Sequence, residues 1–109
     1  MSAPVKVIWN ESVNKLEGNL DDLARWKRPD LPAGSACWAK GTDDQIAALR
    51  FTCPCGCGDV CTVPVRPGYT NTHWNWDGNL ELPSLTPSIQ RLGDCRWHGY
   101  LTKGEFVTC

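Results

Sequence analysis

The chain contains no run of about 20 apolar residues, so no segment reads as a membrane-spanning helix. Its start, Met1-Ser-Ala-Pro-Val-Lys-Val-Ile-Trp-Asn10, lacks the apolar core of a secretory signal, which predicts a cytoplasmic protein. Basic excess is missing too. Eleven Lys and Arg face twelve Asp and Glu, for a net charge of -1. Proteins that hold nucleic acid mainly through charge carry an obvious cationic surplus. Cys-x-x-Cys is absent, which weighs against dithiol redox chemistry, and the single Cys-x-x-His lacks the second half of a Rieske centre. No His-x-Glu precedes a Pro-Cys-x-x-Cys, as a nucleobase deaminase would require. There is no internal repeat and no low-complexity segment. At 109 residues there is room for one small core.

Cysteine and tryptophan are plentiful, seven and six residues respectively. In a reducing compartment clustered cysteines hold a metal more often than they form disulfides, and an odd number leaves one thiol over. Residues 1–35 carry few motifs and are expected to pack on the core as an N-terminal extension. Val5, Val7 and Trp9 alternate as in a short edge strand, and Asn19-Leu-Asp-Asp-Leu-Ala-Arg-Trp26 predicts a short capped helix ended by Pro29 and Pro32. Residues 36–109 read as one β domain. Ala36–Ala39 and Ala47–Thr52 are expected strands around a polar turn, and Val60–Val65 a third, placed at an edge by Pro64. His73–Leu82 resembles a hairpin centred on Asp77-Gly78, its register open. Pro83 and Pro87 forbid a regular helix after it, and the chain closes with a hairpin turning at Lys103-Gly104. The expected class is therefore mainly β: a small zinc-stabilised β-hairpin or zinc-knuckle domain with one short N-terminal helix.

Chemistry concentrates in Cys53-x-Cys55-x-Cys57 and Cys95-x-x-His98. Two close groups of thiolate and imidazole on separate turns supply the tetrahedral ligand set of one structural Zn2+ ion. Three cysteines compete for two places in the first group, and Cys61 and Cys109 are also within the chain's reach. Structural zinc contributes on the order of 10–16 kcal/mol of apparent binding energy, as much as the whole stability of about 5–15 kcal/mol typical of a domain. The metal-free protein is therefore expected to be loosened. Asp59 and Asp94, beside the two groups, read as solvated loop residues or acceptors for His98, and His73 as a packing residue. Cys37 and Cys61 fit packed positions.

The ordered series Phe51-Thr-Cys-Pro-Cys-Gly-Cys-Gly58, Trp76-Asp-Gly78, Leu85-Thr-Pro-Ser-Ile89, Cys95-Arg-Trp-His98 and Gly104-x-Phe106 resembles a family of small phage and bacterial proteins known as domain of unknown function 6527. Some relatives carry the label of ammonia monooxygenase, a transferred misannotation. The resemblance covers residues 36–109. It implies that Cys53, Cys55, Cys95 and His98 are the metal ligands, with Cys57 first in reserve. Cys109 is a further reserve on its position alone. The resemblance also implies a bacterial cell or a phage-infected host as the setting, near bacterial ubiquitin-like conjugation genes or in a phage genome, with a small zinc domain acting as a ligase-like accessory.

These readings point to a protein-binding adaptor with structural zinc and no catalytic residue. Six tryptophans exceed what one small core hides, and Trp74, Trp76 and Trp97 are the candidate partner-binding side chains. Two alternatives stand beside it. A nucleic-acid-binding zinc protein would gather Arg66, Arg91, Arg96 and Lys103 on one face, and a zinc or thiol enzyme would keep an open metal position or a low-pKa thiol.

Overall fold

The computed structural model describes residues 4–14, 30–41, 43–66, 73–90 and 96–109. The helix expected over 19–26 lies outside these residues. Nine strands are described: β1 (Val5–Lys6), β2 (Ile8–Trp9), β3 (Ser35–Lys40), β4 (Ile46–Thr52), β5 (Val60–Pro64), β6 (Asn75–Trp76), β7 (Leu85–Gln90), β8 (His98–Thr102) and β9 (Glu105–Thr108). One 3-10 turn, Glu11–Asn14, follows β2.

The strands form two sheets, ordered β1-β9-β8-β7-β6 and β2-β3-β4-β5. Each presents one apolar face, as period-two patterning requires. On β4 the alternate residues Ala47, Leu49 and Phe51 are buried; on β5 Cys61 and Val63 are, with Thr62 exposed between them. The other sheet contributes Leu85, Ile89, Leu101 and Phe106, and the two inner faces form one core. Phe51 and Phe106 meet across it with ring centroids 4.7 Å apart. Burying such a ring stabilises by about 1.5–3 kcal/mol.

Residues 5–9 tie the layers together. Val5 pairs with Phe106 in the first sheet, and Ile8 pairs with Ser35 in the second. The crossing passes so close to Gly34 that a Cβ there would lie 2.8 Å from Val5 Cγ1 and 2.9 Å from the Lys6 carbonyl oxygen; Gly34 also has φ 82°. Only glycine satisfies both demands at that point.

The edge position of β5 and the closing hairpin follow the sequence reading. Lys103 and Gly104 have φ 48° and 76°, the left-handed pair of a tight hairpin turn, with Thr102 opposite Glu105. The hairpin expected over His73–Leu82 is corrected. Asp77-Gly78 does turn, but β6 pairs with Leu85 and Thr86 rather than with Leu80 and Leu82. Residues 77–84 form a loop in which those two leucines are exposed. The Asp77 carboxylate accepts the backbone N–H groups of Asn79 and Ser84, and the Asn79 side chain accepts those of Glu81 and Leu82. These bonds give the backbone a local alternative to the ladder.

Candidate functional site

The register of β7 against β8 is broken where the chemistry lies. Leu85 pairs with Leu101 and Ile89 with Gly99, so Thr86, Pro87 and Ser88 together face the single residue Tyr100. The Thr86–Pro87 peptide is cis. Such a bulge takes its residues out of the ladder and re-aims a side chain. Leu85 and Ile89 on either side remain buried, while Thr86 and Pro87 are exposed and Ser88 is half-buried.

Ser88 thereby faces His98. The serine Oγ lies 2.9 Å from His98 Nε2, within hydrogen-bonding distance. Gln90 sits directly opposite His98 in the ladder. With Nε2 unprotonated, the Ser88 hydroxyl donates to it. Both side chains are on the outer face of the sheet, and His98 is exposed. Among the described residues the hydrogen-bond partner of the His98 ring is Ser88. Underneath, Trp97 is buried at 5% exposure and donates its Nε1–H to Thr108 Oγ1 at 3.0 Å. Trp74 donates its Nε1–H to the Ser88 carbonyl at 3.4 Å, a long contact that holds the bulge's backbone.

The cysteine loop joins the same end of the molecule. Cys53 is fully buried at the end of β4, and Cys55 and Cys57 are exposed on the turn after it. Their three sulfurs lie within 4.8 Å of one another, with Cys53 and Cys55 at 3.3 Å. A tetrahedral zinc site with bonds of about 2.3 Å places its sulfurs about 3.8 Å apart, so this spacing suits a metal ion. The turn is set by two backbone bonds, Gly56 N–H to the Cys53 carbonyl and Cys53 N–H to the Asp59 carbonyl. Cys55, Arg96, His98 and Cys109 line one cleft of about 510 Å³, so thiol loop and histidine are neighbours.

The residues expected as ligands are thus distributed as follows. Cys53 and Cys55 come together with Cys57, the reserve; Cys95 lies outside the described residues; His98 and Cys109 border the cleft, His98 being bonded to Ser88. Cys61 packs in the core, and so does Cys37, whose thiol burial pushes up to about 11 against the opposing pull of Arg50. Ser88 is absent from the residues that the sequence singles out. Its one signal is the segment Leu85-Thr-Pro-Ser-Ile89, which offers a hydroxyl shortly before His98 but shows neither the bulge nor the pairing.

The tryptophans named as partner-binding are occupied within the fold. Trp97 is in the core, and Trp74 and Trp76 are half-buried against it. Trp9, Trp38 and Trp76 form a stack, with centroids 5.8 and 4.6 Å apart. Their indole N–H groups donate in turn to the carbonyls of Glu81, Leu80 and Asn79.

Fold and site together define a small two-sheet β protein with a Ser–His pair on a bulged outer face and a thiol cluster beside it. Over residues 24–109 the chain matches the family model described as bacterial ubiquitination-like system serine protease (BubE), and it belongs to that family. This match corrects the assignment to domain of unknown function 6527, which rested on short motifs. It also ties the chain to a bacterial ubiquitination-like system, the setting expected for an accessory of ubiquitin-like conjugation. No curated protein and no solved structure matches the chain. Among the described residues no helix is long and apolar enough to cross a membrane.

Proposed function

We propose that this protein is a serine hydrolase that cleaves an acyl bond to, or within, a protein of a bacterial ubiquitination-like system. Ser88 is the nucleophile and His98 the general base. The observation that carries the reading is the 2.9 Å contact between Ser88 Oγ and His98 Nε2 on the exposed bulge. A serine hydroxyl is a weak nucleophile until an adjacent base accepts its proton, and this contact supplies the base. The family's description as a serine protease agrees with it. An enzyme is thereby favoured over the adaptor expected from the sequence, although its substrates are still protein partners.

The cysteine loop holds one structural Zn2+ ion through Cys53, Cys55 and Cys57. Cys95, a ligand already expected from the sequence, is the proposed fourth. His98 is left to Ser88. The zinc, when bound, fixes the turn that borders the His98 cleft; its chemistry is structural.

A fluorophosphonate probe tests the nucleophile. The full chain should be labelled at Ser88, Ser88→Ala should not be labelled, and His98→Ala should be labelled at least about 100-fold more slowly. Undiminished labelling of Ser88→Ala would sink the assignment.

A further inference from the structure

Acyl transfer by Ser88 needs a hydrogen-bond donor for the oxygen that becomes negative, and such donors supply a large part of the rate. Ser88 lies on β7, and the proline before it has no N–H to offer. Beside the backbone N–H groups of the bulge, the side chains around Ser88 on the outer face are candidate donors.

Register identifies them. Side chains alternate along β8, so His98, Tyr100 and Thr102 share the outer face while Gly99 and Leu101 face inward. The bulge sets Ser88 against Tyr100, and its Oγ reaches along β8 to His98. By register Ser88 therefore stands between His98, which its hydroxyl contacts, and Tyr100, which its bulge faces. Tyr100 is 45% exposed, beside its partner Val107 on β9. A core role does not explain it, and an aromatic ring left in water beside a nucleophile is placed to meet substrate. The other candidate donor on this face, Gln90, stands opposite His98, on the histidine's side of Ser88.

Resting on the Ser88–His98 reading, we propose that the Tyr100 hydroxyl is a catalytic residue that stabilises the oxyanion formed at Ser88. Ser88 Oγ attacks the acyl carbon and its proton passes to His98 Nε2. The carbonyl π pair moves onto oxygen, which accepts a hydrogen bond from the Tyr100 O–H on the side away from His98. Collapse re-forms the carbonyl and breaks the bond to the leaving group, which takes the proton from His98. Water repeats the sequence on the acyl-enzyme and releases the carboxylic acid and free Ser88.

The phosphonyl oxygen of a fluorophosphonate probe occupies the place of that oxyanion, so labelling of the full chain separates the effects. Tyr100→Phe keeps the ring and removes the donor. It should lower the maximal labelling rate about 100-fold while the probe concentration at half-maximal rate stays unchanged. Tyr100→Ala should lose at least as much, and Gln90→Ala should stay within about threefold of the parent. Wild-type labelling by Tyr100→Phe, or a loss confined to Gln90→Ala, overturns the role of Tyr100 and leaves Ser88 standing. Labelling that survives Ser88→Ala overturns both.

Discussion

Ser88 and His98 are separated by ten positions in the chain yet meet at 2.9 Å, and the residue between His98 and Tyr100 makes this possible. Gly99 faces inward opposite Ile89, and a Cβ there would run into the Trp97 ring and the Val107 carbonyl. The edge of the Trp97 indole thus lies against the strand that presents His98, and glycine is required by space rather than by backbone angle. Inserting even one methyl into a closed contact costs about 1–3 kcal/mol. Gly99→Ala should therefore lower thermal stability by about 2 kcal/mol in a denaturant melt. It should also slow Ser88 labelling, because the strand must lift and carries His98 with it. A variant with parental stability would show that Trp97 can slide away.

Among the elements, the β3–β4 turn gives a direct pH test. Asp43 accepts two hydrogen bonds from the Arg66 guanidinium, at 2.7 and 2.8 Å. That bidentate contact, with the Gln45 backbone N–H, pulls the Asp43 carboxyl from 3.8 down to about 2. A depressed carboxyl pKa favours the folded state above the unfolded value and loses that contribution as pH falls through the folded one. The pair should support stability above pH 3.8 and release it towards pH 2. Melting temperatures of Asp43→Asn should fall less steeply across that window than those of the parent, by a small margin because the pair is exposed. Parallel curves would mean the ion pair is idle. Elements also show where a sequence can be read. The alternation of Cys61, Val63 and Val65 and the Lys103-Gly104 turn encode strand and hairpin locally, and both are found. The loop at 77–84 is different: Asp77-Gly78 signals a turn, but the return strand is displaced to Leu85 by side-chain bonds from Asp77 and Asn79 and by three indoles from β2, β3 and β6. Trp9 and Trp38 are remote in sequence from the carbonyls they hold, and no spacing in the chain marks the bulge that brings Ser88 to His98. A cysteine cluster announces itself by spacing; a serine becomes a nucleophile only through its neighbours in space.

At the scale of the whole molecule the thiol loop and the Ser–His pair are coupled through the core. Cys53 is fully buried where β4 ends, in the same cluster as Trp97, and Cys55 borders the cleft that His98 lines. A small two-layer sandwich of short strands buries limited area, so the metal proposed for the cysteine loop would contribute heavily to its stability. Released thiols at the buried root of the loop would also loosen the packing under β8. Zinc content measured on the purified chain should be one ion per molecule, retained in His98→Ala and lost in Cys57→Ala. Removing it by chelation should cost about 3 kcal/mol or more, a fall in melting temperature on the order of 12 °C. The same treatment should slow Ser88 labelling without abolishing it, because the pair's own contact is built on β7 and β8. Metal loss that leaves melting unchanged would show that the sandwich stands without the metal. Zinc lost from His98→Ala would instead return the histidine to the ligand set and take it away from Ser88.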